Sequence, residues 1–401
     1  MARTVAELPK GMRITDHISL GVIGQTFPLD QVQAVLDQTG RTSVRERDLP
    51  ADLMVYYVIA MSLYMQVSYN EVLRCLQEGI RWLPSLEKPI RIAGKSGISQ
   101  ARKRLGIEPI RLLHDRVVRP LATGQTKGAW YRKWKIISLD GSTFDVADTD
   151  ENEAAFGRPK ASRGKSGYPK IRFVSLVENG THVLFGSQIG SYDTHEIALA
   201  KGAMDHLHPG MLCLADRNFF GYALWKQAAD TGAELLWRLK KNNVQRNEKR
   251  LPDGSYLSTI YPTEKARRNK QDGIGVRVIE YRLEGLPDAE PIYRLITTIL
   301  DPKGAPACEL AALYHERWEI ETALDELKTH LRGAKIVLRS KNPVLVEQEF
   351  FGLMMAHFMI RNLMHQAATS AKVDADQLSF VHAVRIVRRK IPKTSAFPPS
   401  A

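Results

Sequence analysis

The run Ala312–Leu331, ALYHERWEIETALDELKTHL, decides how the rest of the chain is read. It has the spacing of a helix. At ~100° per residue, with Tyr314 at zero, Arg317 falls near ~300°, Glu321 near ~340° and Lys328 near ~320°. One stripe therefore carries Tyr314, Arg317, Glu321 and Lys328. The adjoining arc, Leu313, Ile320, Leu324, Leu327 and Leu331, is apolar and faces a core. A solvated stripe with an Arg317–Glu321 pair at i, i+4, worth ~0.2–0.5 kcal/mol, has the same pattern. Asp325 lies near ~20° on the same wheel, so geometry alone permits either Glu321 or Asp325 as a functional carboxylate.

The chain around it has 401 residues, 44% of them apolar, enough for two or three domains and a sizeable core. Cys75, Cys213 and Cys308 share no metal-like spacing and suit a reducing, cytoplasmic setting. No run of about 18 apolar residues occurs, so no membrane span is expected. The opening MARTVAELPKGMRI lacks the apolar stretch of a signal peptide. Lys+Arg 57 against Asp+Glu 44 gives a net charge of +13, which favours a polyanionic partner, nucleic acid first among them. The basic residues gather in RPKASRGKSGYPKIR from Arg158, RLKKNNVQRNEKR from Arg238, RGAKIVLRSK from Arg332 and RIVRRK from Arg385. Each alone reads as a solvated surface; together they suggest a long electrostatic track.

Residues 1–128 read as a helical domain. LPADLMVYYVIAMSLYM from Leu49 has the proline-led start and apolar content of a buried helix. SYNEVLRCLQEGI follows, with Ser68 as N-cap. GKSGISQARKRLG from Gly94 predicts a short helix whose exposed side carries Gln100, Arg102, Lys103 and Arg104. A helix–turn–helix with a basic last helix reads DNA, and ordinary helical packing accounts for the pattern equally well. Over 129–239 the character changes. WKIISLD predicts a buried strand ending at Asp140. PKIRFVSLVENG and THVLFGSQIG pair around Asn179-Gly180, HEIALAKGAMDHL is a helix, and GMLCLAD is a strand ending at Asp216. GYALWKQAADTG, a helix closed by Gly232, and the strand AELLWRLK complete a mixed α/β sheet. Residues 240–303 are β-rich, 304–370 return to helix, including the amphipathic VEQEFFGLMMAHFMIRNLMHQAA, and 371–401 form a tail.

Asp140 and Asp216 at strand ends, with Glu321 on a helix, form a candidate set. Singly, Asp140-Gly141 reads as a turn and Asp216 as a cap. Converging, three carboxylates suit two Mg²⁺ ions, which prefer oxygen ligands and serve in-line phosphoryl transfer.

The spacing Tyr314-x2-Arg317-x3-Glu321-x6-Lys328 resembles the signature of the insertion-sequence-four family of bacterial cut-and-paste transposases. SLDGSTFDVADT is similar to that family's first-aspartate block, LADRNFFGYALW to its second, and RERDLPADLMVYYVIAMSLYMQVSYNEVLRCL to the helical region that precedes the catalytic domain in one branch. The resemblance spans nearly the whole chain. It implies a ribonuclease-H-like core interrupted by a β-rich insertion, and a DDE triad in which Asp140, Asp216 and Glu321 are catalytic and hold Mg²⁺, with Mn²⁺ substituting. Tyr314, Arg317 and Lys328 fall on residues that contact the phosphates of the element end. It also implies terminal inverted repeats and target DNA as partners, and a homodimer in a synaptic complex. Asn218 stands where the second block commonly has glycine. The insertion lacks the tryptophan that stacks a flipped base in better-known members, leaving Tyr256, Tyr281, Tyr293 or Trp318 for that place. The C-terminus is short beside many members, which leaves truncation of this copy open. The activity expected is metal-dependent cleavage and transfer of DNA strands in the bacterial nucleoid. The alternatives are an inactive copy that only binds DNA, and a nuclease that cannot join strands.

Overall fold

The computed structural model describes residues 20–44, 49–73, 94–160, 167–283 and 290–389. The C-terminal part of the helix expected from Ser68, the centre of the Arg158 basic cluster, the last residue of RIVRRK and the tail beyond it lie outside the described residues.

Five strands form one half of the sheet: β2 (Trp134–Asp145), β3 (Lys170–Glu178), β4 (Val183–Ser191), β5 (Met211–Ala215) and β6 (Glu234–Arg238). A short β1 (Trp130–Tyr131) pairs with β2. Next come β7 (Lys249–Arg250), β8 (Tyr256–Ile260), β9 (Ile274–Tyr281) and β10 (Tyr293–Thr297). The order is β4-β3-β2-β5-β6-β10-β9-β8-β7. β2, β3 and β4 run as an antiparallel meander, and β5 and β6 follow parallel to β2. This is the ribonuclease-H-like arrangement. The β-rich stretch after position 240 continues the same sheet, because β10 pairs antiparallel with β6, Leu295 opposite Arg238.

Central strands are buried on both faces, which explains their unbroken apolar runs. Ile136, Leu212, Leu214 and Leu236 point into one core together with Leu310, Leu313 and Tyr314. Their neighbours Ile137, Cys213, Ala215, Leu235 and Trp237 point into the other, larger core. That larger core is continuous with the N-terminal helices. Helix Ala51–Leu63 is buried throughout except at its first turn, and it runs against helix Pro343–Ala371. At their closest approach a Cβ on Gly352 would sit 2.7 Å from the Val58 carbonyl oxygen, so only glycine fits. Helix Pro343–Ala371 is therefore not amphipathic over its middle. Phe350 to Arg361 are all buried, between the N-terminal helices on one side and Phe144 and Phe173 of the sheet on another.

The segment joining the N-terminal helices to the sheet is held down rather than loose. Buried Glu178 accepts the Leu121 and Ala122 amides at 2.6 and 2.9 Å and pairs with Lys135 at 2.8 Å. Gly180, φ +77°, turns the β3–β4 hairpin directly under it; a Cβ there would meet the Lys127 carbonyl oxygen at 2.4 Å. Ser68 accepts the Glu71 amide at 3.3 Å, the cap the sequence predicts. No helix among the described residues is long and apolar enough to cross a membrane.

Candidate active site

The run from Ala312 to Leu331 is helical from end to end but is not one α-helix. The chain passes from α-helix (Ala307–Leu313) through a 3₁₀ segment (Tyr314–Trp318) to α-helix (Glu319–Asp325) and a π segment (Glu326–Leu331). The first part packs in the core that holds Leu310, Leu313 and Tyr314. The later part, with Ile320, Ala323, Leu324, Leu327 and Leu331, packs in the larger core. The tighter 3₁₀ turn falls where the run changes partners, and the π segment adjusts the register after it.

That change of geometry separates the expected stripe. Tyr314 is buried, its ring in the core and its hydroxyl donating to the Ala215 carbonyl at 3.3 Å. It braces the end of β5 next to Asp216, so the side chain expected at a DNA phosphate is held inside the core here. Arg317 is 7% exposed. Its Nη1 lies 3.6 Å from Asp140 Oδ2 and its Nη2 3.7 Å from Glu321 Oε1. Trp318, 56% exposed, lies beside that guanidinium, 5.2 Å from ring centre to Cζ. Lys328 Nζ donates to Ser142 Oγ at 2.8 Å, tying the π segment to β2 two residues beyond Asp140. Burial and the neighbouring Arg332 and Lys170 pull the Lys328 ammonium below its ordinary pKa.

Asp140 does not end its strand. β2 continues to Asp145, with Asp140 opposite Ser175 on β3. The expected strand stopped there because Gly141 and Ser142 break the apolar run, yet the backbone pairing continues. Asp216 does follow the last residue of β5 directly, and Asn218 Nδ2 donates to its Oδ2 at 3.4 Å. Burial lifts the Asp140 carboxyl to about 6, with Glu196 and Asp216 pushing the same way and the Gly141 amide and Arg317 opposing.

Glu196 was not expected here. Its carboxyl lies so close to Gly141 that a Cβ on that glycine would come within 3.0 Å of it, and Arg172 Nη1 holds it at 3.2 Å. No spacing rule could have found it, since it reaches the site from the start of helix Glu196–Met204. Asp325, the rival of Glu321, points elsewhere: its Oδ2 lies 3.3 Å from His330 Nε2.

Behind the site is a second charged group that spacing did not show. Buried Glu326 meets His182 Nδ1 at 3.4 Å, His357 Nε2 at 3.3 Å and Arg361 Nε at 2.9 Å. Burial alone would raise its carboxyl, but those partners hold it well below the carboxylate range.

Of the two arginines expected on the DNA-reading helix, Lys95–Leu105, Arg102 is misassigned. It is 1% exposed, and its guanidinium donates to Gln348 Oε1 at 3.1 Å, Ser340 Oγ at 3.2 Å and the Leu345 carbonyl at 2.7 Å. It pins that helix to the start of helix Pro343–Ala371. Arg104 and Lys103 are exposed, as expected. Of the tyrosines considered for base stacking, Tyr256 is buried, while Tyr281 and Tyr293 stack on each other at 5.4 Å with Arg238 over the second ring.

Asp140, Asp216 and Glu321 offer only hard oxygen donors, the kind a divalent ion takes, and a cation, Arg317, already lies between two of them. Among the described residues no three acidic, histidine or cysteine side chains close on one point; Arg317 takes up the space between Asp140 and Glu321.

Comparison with known proteins gives the family. The family model for the insertion element 4 transposase N-terminal region matches residues 17–115. The model for the transposase DDE domain matches residues 132–359. The transposase InsG for insertion sequence element IS4 of Escherichia coli strain K12 is 27% identical over 372 residues, covering 92% of this chain and 82% of its own. The putative transposase InsZ of the same strain is 23% identical over 229 residues, covering 55% and 71%. Among solved structures, a cryo-EM piggyBac transposase synaptic complex with hairpin DNA aligns at 10% identity with a TM-score of 0.47, covering 94% of this chain and 81% of its own. With its DDE domain matched over more than half its length and an insertion element 4 N-terminal region before it, the chain belongs to the insertion-sequence-four family of DDE transposases, enzymes that cleave DNA and transfer its strands.

Proposed function

We propose that Asp140, Asp216 and Glu321 are the three DDE carboxylates. DDE transposases depend on divalent metal ions; here the ions are read as two Mg²⁺, with Mn²⁺ as substitute. Bound there, they would activate the attacking oxygen and stabilise the leaving one. The observation that carries the reading is Arg317, which brings Asp140 of the central strand and Glu321 of the signature run to one guanidinium. Asp216 lies close enough to push the Asp140 carboxyl upward.

The protein's own groups divide the remaining work. Asp140 is fixed by its place inside a paired strand and by the Gly141 amide, which donates to its Oδ1 at 2.8 Å. Tyr314 braces the strand end before Asp216. Exposed Trp318 offers a stacking face at the mouth of the site, and Lys328 a positive charge beside β2. Water cleaves one strand at the element end, and the freed 3′-hydroxyl attacks the second strand or the target.

A cavity of about 520 Å³ opens between the N-terminal helices and the core, lined in part by Tyr69, Lys95, Lys103, Arg339 and Lys341. We read the exposed cations Lys95, Lys103, Arg104 and Lys341 as contacts to the phosphate backbone of the terminal inverted repeat. Two copies of the chain would hold the two ends in a synaptic dimer before target DNA is joined.

The test compares Asp140→Ala, Asp216→Ala, Glu321→Gln and Asp325→Asn on a pre-nicked element end in Mg²⁺ and in Mn²⁺. The first three should lose cleavage while keeping DNA binding, since a missing metal ligand withdraws several kcal/mol, of the order ~3 or more, from the transition state. Asp325→Asn should stay measurably active. An active Glu321→Gln beside a silent Asp325→Asn would overturn the assignment of the third carboxylate.

A further inference from the structure

Among the described residues, Arg317 is the least satisfied of the buried arginines. Arg102 makes three hydrogen bonds to neutral acceptors. Arg277 donates to Ser255 Oγ at 2.8 Å and the Ala305 carbonyl at 2.7 Å and pairs with Asp253. Arg361 is locked onto Glu326. Arg317, by contrast, stands 3.6 and 3.7 Å from its two carboxylates, outside hydrogen-bond length. Its Nε is buried and has no partner. A buried guanidinium held by charge alone is cheap to move, because few hydrogen bonds break when it leaves, whereas an unpaired donor in the interior is costly to keep.

Its position matters more than its looseness. It lies between two candidate metal ligands contributed by different elements. A Mg²⁺ ion binds oxygen at about 2.0–2.1 Å, and a guanidinium facing the same oxygens would be a like charge in one small site. Drawn away from them, the same fork of donors suits a phosphate, which it can take in bidentate fashion.

We propose that Arg317 is an internal counter-ion of the metal site, so that the guanidinium and the metal ion are alternative occupants and a DNA phosphate is what draws the guanidinium out. This rests on the reading of Asp140 and Glu321 as metal ligands. Its consequence is that DNA and metal bind cooperatively, each raising the affinity for the other by the same factor. In the absence of DNA the carboxylates are neutralised from within and metal binds weakly. Once the phosphate backbone engages Arg317, the carboxylates are released to the ion, and the site becomes reactive only with substrate in place.

The experiment titrates Mn²⁺ into the full chain and follows free ion by electron paramagnetic resonance, with and without a 40-base-pair duplex of arbitrary sequence at low salt. Asp140→Asn identifies the binding that belongs to this site. The wild type should bind Mn²⁺ about tenfold or more tightly with the duplex than without it, within the usual range of coupling between sites. Arg317→Gln should bind Mn²⁺ without DNA about as tightly as the wild type does with it. Arg317→Lys, which keeps the charge and loses the fork, should fall between, and carries the comparison if the glutamine variant does not fold. Lys226→Gln removes an exposed cation that pairs with Asp230 on a separate helix and should leave Mn²⁺ affinity unchanged. The inference is overturned if neither Arg317 variant binds Mn²⁺ more tightly than wild type without DNA, or if Lys226→Gln shifts it as much. Binding that ignores Asp140→Asn would overturn the ligand assignment itself, an outcome separable from the other two.

Discussion

Replacing Glu326 by glutamine keeps the shape of the side chain and removes a negative charge that serves three buried partners, the only one within reach of Arg361 and His357 among the described residues. Arg361 is almost wholly enclosed, its side chain 3% exposed against 8% for Glu326, so no solvent can take over the role of the carboxylate. Removing one member of such a pair leaves an uncompensated buried charge, costing about 3–5 kcal/mol, far more than the 0–1 kcal/mol of a surface pair. Arg361→Met alone should cost a similar amount. The double variant should be markedly less damaged than the sum of the two, because a neutral pair leaves no stranded charge. Urea denaturation of the four proteins measures this directly. The pH dependence supplies a second readout. The folded state holds the Glu326 carboxyl well below its ordinary value, about 4.3 in an unfolded chain. Its stabilisation is then fully present above that value and is lost as pH falls toward the folded one. Wild type should weaken on acidification below pH ~4, and Glu326→Gln should lack that component. A loss under about 1 kcal/mol, or strict additivity in the double variant, would refute the reasoning that this network is a closed buried unit.

Arg102→Met should destabilise the fold by several kcal/mol, of the order ~3, by leaving Gln348 and the Leu345 carbonyl without their donor, while the salt dependence of DNA binding stays unchanged. Lys103→Ala, Arg104→Ala and Lys341→Ala should do the reverse: stability holds within about 0.5 kcal/mol, and each phosphate left without its cation lowers the slope of log affinity against log salt by about 0.9. Filter-binding titrations on element-end DNA at several salt concentrations, beside melting curves, distinguish the two classes.

Much of the sheet was legible because its strands obey simple rules. WKIISLD, GMLCLAD and AELLWRLK are short apolar runs that only a sheet covered on both faces can bury, and Asn179-Gly180 marks a hairpin whose close approach to Lys127 demands glycine. What could not be read was where such runs stop. β2 continues through Gly141 and Ser142, small and polar, because β3 supplies partners for its backbone as far as Asp145. The long helix of Phe350 and Phe351 was expected to have a wet face. The polar residues that enter its buried stretch are already employed: Gln348 bonds the Arg102 and Gly106 carbonyls at 2.8 and 2.6 Å, and Glu349 accepts the Arg339 and Ser340 amides at 3.0 Å. A polar residue in a helical pattern signals solvent only when nothing in the tertiary structure claims it.

The same principle governs the site. A wheel at constant pitch put Tyr314, Arg317, Glu321 and Lys328 on one stripe, and the spacing was enough to single them out. It could not say that they would face different things. Tyr314 and Arg317 lie on a 3₁₀ turn, Glu321 on an α turn and Lys328 on a π turn, so the angle per residue changes twice between the first and the last. The run must change because it packs in one core at Leu310 and Leu313 and in another from Ile320 onward. A single pitch would keep one apolar stripe facing one core. Two cores therefore impose a break, and the break is what leaves Tyr314 inside, carries Arg317 to Asp140, and brings Lys328 to Ser142. Spacing of this kind singles residues out, while the packing of the two cores decides what each one touches.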